Sequence, residues 1–152
     1  MNYKHTQFGW VILVCCAVAL AIIFGAEHSL TPEQQRHFPA WLVTAVVGAV
    51  MILFASLTVE VNDHLIQLRF GPGLIHWKFR LADVVKCQPV RNRWWMGWGI
   101  HGWPGPRGGW LFNVSGWDAV ELKMKNGKIY RIGTDEPGKL AEFIQAKLCK
   151  VI

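Results

Sequence analysis

Two long apolar stretches dominate the first third of the sequence. Residues 8–26 and 38–57 contain no Asp, Glu, Lys or Arg. A helix needs about 20 apolar residues to cross the hydrocarbon core of a bilayer. Neither stretch has the polar face that a helix in a soluble domain would show. The pattern therefore predicts two transmembrane helices, 8–26 and 38–57, joined as a hairpin.

A cleaved signal peptide is the main alternative for the first stretch. Its apolar core would span only about 7–15 residues, and small residues would precede the cleavage site. The bulky Phe24 stands near the end of the stretch, where a small residue is needed. We therefore interpret residues 8–26 as a membrane span that is kept in the mature chain.

From residue 58 onward, apolar and polar residues alternate along short segments, which is the period of a strand with one buried face. Residues 71–73 (GPG) and 126–127 (NG) interrupt the alternation, and Asn-Gly is a strong signal for a hairpin turn. The alternation predicts an antiparallel β-meander of seven strands, near residues 58–61, 66–70, 75–80, 84–90, 109–112, 120–125 and 128–132.

Helical spacing returns near the C-terminus. Thr134 or Asp135 is a suitable cap for a helix that has Pro137 in its first turn. One amphipathic helix after seven strands predicts a small barrel or sandwich that the helix covers. We therefore expect a tail and membrane hairpin over residues 1–57 and a mainly β domain over residues 58–152. The apolar face of the helix is formed by Leu140, Phe143, Ile144 and Leu148.

Composition supports this organisation and excludes several classes of protein. Hydrophobic residues make up 52% of the 152 residues, and charged residues make up 17%, against the usual ~25%. These values exclude a disordered chain, a coiled coil and an ordinary soluble enzyme domain. The length leaves no room for a separate cofactor domain. The net charge of +6 indicates a negatively charged neighbour, such as lipid headgroups, RNA or an acidic protein.

The distribution of charge and cysteine indicates where the chain ends lie. Of the 16 Lys and Arg, only Lys4 and Arg36 precede residue 58. Positive charge favours the cytoplasmic side of a membrane, so we expect both termini in the cytoplasm. The cysteines lack C-x-x-C or disulfide-framework spacing, which indicates free thiols in a reducing compartment. They are Cys15, Cys16, Cys87 and Cys149.

Residues 91–116 are rich in glycine and tryptophan and contain the candidate contact site. Arg beside Trp is typical of a membrane interface, where the cation meets anionic headgroups and the ring lies at the boundary. The same pair suits single-stranded nucleic acid, but the second predicted span continues into the first strand without a linker, so lipid is the nearer polyanion. A solvated basic surface is the alternative. The candidate headgroup or partner contacts are Arg91, Arg93, Trp94, Trp95, Trp98, Trp103 and Arg107.

The sequence contains no convincing motif for catalysis. Residues 97–102 match G-x-G-x-x-G, but Pro104 and Pro106 follow where a dinucleotide site needs a helix. Ser115 lacks the context of a nucleophile elbow, and the six His have no metal-ligand spacing. We therefore predict a protein that is not an enzyme, with no catalytic, cofactor-binding or metal-ligating residues.

Five segments together suggest a family: 70–73 (FGPG), 81–84 (LADV), 97–100 (GWGI), 109–116 (GWLFNVSG) and 132–137 (IGTDEP). They resemble bacterial membrane proteins that carry two N-terminal spans and a pleckstrin-homology (PH)-like domain. The resemblance covers roughly residues 40–148. It implies a seven-stranded PH-like barrel capped by a C-terminal helix, and no enzymatic activity. The family has no agreed ligand, so no binding residue is carried over, and the stretch 103–108 departs from the family pattern.

These observations lead to one expected function and one alternative. We expect a membrane-anchored binding or scaffolding module at the cytoplasmic face of the bacterial inner membrane. It would recognise anionic lipid headgroups or a protein. The alternative is a small accessory subunit whose two helices pack into a larger membrane protein complex. The partners that the sequence allows are membrane lipids, a membrane protein complex or a second copy of the chain in a homo-oligomer.

Overall fold

The computed structural model describes residues 2–31, 33, 40–103 and 108–151. They form a mixed helix and β protein with two sheets and a C-terminal helix. The helices are α1 (Trp10–Ser29), α2 (Ala40–Phe54) and α3 (Pro137–Val151). The strands are β1 (Tyr3–Phe8), β2 (Ser56–Val61), β3 (Leu65–Phe70), β4 (Ile75–Arg80), β5 (Val84–Arg91), β6 (Gly99–Trp103), β7 (Gly109–Asn113), β8 (Asp118–Met124) and β9 (Ile129–Gly133).

The first sheet is antiparallel and has the order β1-β2-β3-β4. The predicted alternation of β2 and β3 is confirmed, because Leu57, Val59 and Val61 are buried while the residues between them are half-buried. Strand β1 was not predicted. Its residues were assigned to a tail because the side chains that alternate inward include His5 and Gln7, so the segment shows no apolar period.

The second sheet has the order β5-β8-β9-β7-β6, with β7 and β9 parallel and the other pairs antiparallel. The predicted antiparallel meander is therefore wrong for this sheet, because β8 pairs with β5 and β9 instead of with β7, the strand before it in the chain. Strand β6 was also not predicted, because two of its five residues are glycine. With β1 and β6, the described residues form nine strands where the sequence predicted seven. Four of the largest fully buried side chains in the core are Phe70, Phe112, Leu122 and Ile132.

Helix α3 covers the core as predicted. Leu140 and Ile144 are fully buried in the core cluster. Phe143 is only partly buried, and its ring packs against Tyr3 of β1 at 5.6 Å between centroids. The side chain of Thr134 accepts a hydrogen bond from the Glu136 amide at 3.2 Å, so this predicted cap residue orders the turn before the helix.

The apolar helices differ from the prediction in length. Among the described residues, α1 alone is long and apolar enough to cross a membrane. Helix α2 has 15 residues, about 22 Å at ~1.5 Å per residue, against a hydrocarbon core of ~30 Å. The predicted span of 38–57 is too long at its C-terminal end, because the helix ends at Phe54 and β2 begins at Ser56. Residues 38–39 of the predicted span lie outside the described residues.

The two helices leave the first sheet without a linker. Phe8, the last residue of β1, lies opposite Ser56, the first residue of β2. The Gly9 amide then donates to the Ala55 carbonyl at 2.8 Å, and α1 begins at the next residue. A Cβ at Gly9 would lie 2.4 Å from the Phe54 carbonyl oxygen, so only glycine allows this approach. The start of α1 and the end of α2 are therefore held side by side, directly at the end of the β1–β2 pair.

Candidate functional site

The Trp-rich segment begins where β5 ends. Arg91 lies opposite Asp118 of β8 in the strand register, and the Asn92 amide donates to the Trp117 carbonyl at 2.6 Å. A short 3-10 turn over Trp94–Met96 follows. The start of the segment is therefore fixed by backbone contacts with β8 and with the bend at Trp117.

Trp94 and Trp95 are large hydrophobic side chains that this segment exposes. Trp94 is 75% exposed and Trp95 is 59% exposed. Their rings meet edge to face with centroids 5.9 Å apart, and the Arg93 guanidinium lies 4.6 Å from the centre of the Trp95 ring. Such a cation–π contact orients both groups while leaving them open to a partner. We call Arg91, Arg93, Trp94 and Trp95 the Arg-Trp cluster.

The remaining predicted contact residues are placed differently. The indole of Trp98 donates to the Gly116 carbonyl at 3.2 Å and packs on Trp117, with centroids 5.0 Å apart. Trp98 is therefore held by contacts within the chain. The side chain of Trp103, which ends β6, and the whole of Arg107 lie outside the described residues. The structure thus brings three of the seven predicted residues into contact, Arg93, Trp94 and Trp95, and Arg91 precedes them at the end of β5.

Residues 92–96 also cover the outer face of the second sheet. Leu111 and Ala119 are fully buried. Because they are the neighbours of the core-facing Phe112 and Val120 in their strands, they lie on the outer face of the sheet. Arg131 holds the segment to this face, because its guanidinium donates to the Asn92 side chain at 3.4 Å and approaches the Met96 sulfur at 3.3 Å. Glu121 accepts from the same guanidinium at 2.8 Å. The exposed tryptophans therefore stand on a supported surface.

The Arg-Trp cluster is linked to the base of the helices. The bend that ends at Trp117 touches the end of β1, just before α1, because the Gln7 side chain donates to the Ser115 carbonyl at 2.9 Å. A Cβ at Gly9 would lie 3.3 Å from that of Val114. Asn92 is bonded to the same bend. The cluster thus lies at the end of the β domain from which α1 and α2 leave.

A basic pocket on the first sheet was missed by the sequence reasoning. It has a volume of about 320 Å³ and lies beside the β3–β4 turn. Arg69 lies opposite His76 in the strand register, and Gln67 lies opposite Lys78. The alternation of apolar and polar residues places these four side chains on the polar faces of β3 and β4, but only the register shows that they lie side by side. We call this the turn pocket; it is lined by Gln67, Leu68, Arg69, Pro72, Gly73, His76, Trp77 and Lys78.

A second pocket, of about 230 Å³, lies between β4 and the second sheet and is mainly aromatic. The rings of Phe79 and Tyr130 lie 4.7 Å apart. Trp77 and Trp110 are partly exposed at its surface. Strand β4 is the last strand of its sheet, so this aromatic pocket adjoins a strand edge with free backbone groups.

The geometry gives no support to the chemical motifs considered above. Residues 99–102 of the G-x-G-x-x-G match lie within β6, so the motif does not lead into a helix as a pyrophosphate site requires. Within the described residues, no group of three His, Cys, Asp or Glu side chains could hold a metal ion. Cys87 is buried, and this desolvation raises its pKa to about 12, which makes the thiol a poor nucleophile.

The comparisons with known proteins add no identification: neither a protein-family description nor a curated protein matches this chain.

Proposed function

We propose that this protein is a membrane-anchored PH-like binding module with no enzymatic activity. It lies in the bacterial inner membrane, spans it with α1 and with the apolar stretch 38–57 that contains α2, and has both termini in the cytoplasm. The Arg-Trp cluster binds the anionic headgroups of the surrounding lipid. The observation that carries the proposal is the linker-free junction at Gly9 and Ala55, because it holds the β domain, and with it the cluster, next to the ends of α1 and α2.

The chemistry of the cluster supports a headgroup contact. An arginine near an anionic membrane surface contributes ~1 kcal/mol, which is about fivefold in lipid preference. Exposed tryptophans favour the boundary between headgroups and acyl chains. Phe8 and Trp10 at the start of α1 are 58% and 66% exposed, with ring centroids 6.2 Å apart. They extend the aromatic belt on the same side of the domain.

The fold is compatible with a PH-like domain. Two sheets enclose one core, and a C-terminal helix covers it. The same arrangement was implied by the sequence resemblance, with fewer strands. Strands β1 and β6 are additions at the edges of the two sheets. The parallel pair of β7 and β9 is a departure from the expected antiparallel arrangement.

Lipid selectivity of the full chain tests the proposal. Spin-labelled phosphatidylglycerol and phosphatidylcholine are compared in reconstituted membranes at low salt. We expect a preference for phosphatidylglycerol that falls about fivefold per arginine in R91Q/R93Q. The matched control is K125Q/K128Q, which removes the same charge from the exposed β8–β9 hairpin.

Salt separates the electrostatic contribution, because exposed charges are screened beyond ~8–10 Å at physiological ionic strength. Equal preference in R91Q/R93Q and the parent would contradict the headgroup assignment. Equal losses in both double variants would show that only net charge matters, which contradicts it as well.

The aromatic pocket beside the edge of β4 favours the second candidate function, an accessory subunit in a larger membrane protein complex. Edge strands and aromatic pockets are common protein contacts. Mild detergent extraction and native sizing test this candidate. Stoichiometric co-purification of a partner would support it, while a free monomer would favour the headgroup-binding module.

A further inference from the structure

The turn pocket lies directly beneath the end of α2. The Gly71 amide donates to the Ser56 carbonyl at 2.8 Å. A Cβ at Gly71 would lie 2.3 Å from the Ile52 oxygen and 2.8 Å from the Leu53 oxygen. The β3–β4 turn therefore touches the last turn of α2. If α2 spans the membrane, as the proposed function has it, the turn pocket opens at the level of the headgroups.

An exposed apolar residue marks the same turn. Leu74 is 76% exposed, the highest value among the large hydrophobic side chains described. It follows Pro72 and Gly73, which line the pocket. A leucine in this position can enter the membrane boundary, which would turn the mouth of the pocket toward the lipid.

The charge of the outer face of the first sheet favours an anion. Glu60 is the only acidic side chain on the described strands of this face. It binds Lys4 at 2.9 Å and Arg69 at 3.0 Å. Lys78 forms no ion pair within the described part of the chain, and Arg69 keeps about half of its side chain exposed. The pocket therefore combines exposed positive charge with one counter-charge at its rim.

We propose that the turn pocket binds the phosphate group of an anionic membrane phospholipid through Arg69, Lys78 and His76. The volume of about 320 Å³ accommodates a phosphodiester headgroup. Arginine gives a planar pair of donors for phosphate oxygens, and lysine adds a point charge. Glu60 competes with the phosphate for Arg69 and so limits the affinity.

The test measures lipid adducts of the full chain by native mass spectrometry from detergent micelles. Phosphatidylglycerol and phosphatidylcholine with the same acyl chains are added separately. We expect tighter binding of phosphatidylglycerol by the parent, and a loss of about fivefold per base in R69Q/K78Q. E60Q is expected to bind phosphatidylglycerol more tightly, because it releases Arg69. K125Q/K128Q is expected to behave like the parent.

Several results would overturn the proposal. One is phosphatidylglycerol binding in R69Q/K78Q that equals the parent. Another is an E60Q variant with unchanged or weaker binding, since a purely structural role of the ion pair would not strengthen it. Displacement of the lipid by excess inorganic phosphate would assign the pocket to a soluble anion instead. Each result leaves the R91Q/R93Q measurement unaffected, so failure of this site and failure of the proposed function are distinguishable.

Discussion

Gly71→Ala is the substitution that most directly probes the contact between the β domain and α2. Gly71 has φ +48, and a non-glycine residue in the left-handed region costs ~1–2 kcal/mol. The added Cβ would also meet two backbone oxygens of α2 at 2.3 and 2.8 Å. Backbone atoms cannot rotate away, so we add ~1–3 kcal/mol for overpacking. The expected loss in the free energy of unfolding is therefore ~2–5 kcal/mol.

Gly127→Ala is the matched control. Gly127 has φ +80, and no atom lies within 4 Å of its Cβ position. We expect it to cost only the conformational ~1–2 kcal/mol. Thermal unfolding of the full chain in mild detergent, followed by tryptophan fluorescence, compares the variants; 1 kcal/mol corresponds to about 2–4 °C in a chain of this size. Equal melting temperatures for the two variants would refute the docking of the turn against α2.

Three further predictions concern the core and its edges. Ile144→Ala removes a fully buried side chain and should cost ~2–5 kcal/mol, while Glu142→Ala on the exposed side of the same helix should change the melting temperature little. Cys87, buried with a pKa of about 12, should resist alkylation at neutral pH until the protein unfolds, whereas the exposed Cys149 should react at once; peptide mapping would show rapid native labelling of Cys87 if its burial is wrong. Burial, with Glu136 and Asp135 nearby, raises the pKa of Tyr3 from 10.0 to about 12, so the unfolded state ionises first and stability should fall between about pH 10 and 12. Denaturant titrations of Tyr3→Phe should show a smaller fall in that window, and an identical fall would contradict this assignment.

The sequence was sufficient for the elements that bury an apolar face. Strands β2 and β3 and helix α3 were predicted because hydrophobic burial leaves a period in the sequence. Strand β1 could not be found this way, because Gln7 is buried through a hydrogen bond to the Ser115 carbonyl. That bond joins residues far apart in the chain, so no local pattern announces it. Strand β6 is likewise held by its pairing with β7.

The candidate site was only partly predictable for a related reason. Composition identified Arg93, Trp94 and Trp95 as a basic aromatic segment, and the structure leaves both rings exposed. Trp98 has the same neighbours in sequence but is held by the Gly116 carbonyl. Whether a tryptophan faces a partner or supports the fold depends on such tertiary contacts. The turn pocket was missed because it depends on the register of β3 and β4.

The depth of residue 94 in a bilayer tests the central claim most directly. A nitroxide is attached at position 94 of the full chain, and a second label at Asn126 serves as the control. Strand β8 separates the Asn126 turn from the Trp117 bend by seven residues, about 23 Å at ~3.3 Å per residue. Collision rates with oxygen and with a water-soluble nickel complex are then measured in phosphatidylglycerol-containing membranes. We expect position 94 to lie at the headgroup boundary and Asn126 to lie in water. Equal exposure of both labels to the nickel complex would contradict membrane contact by the Arg-Trp cluster.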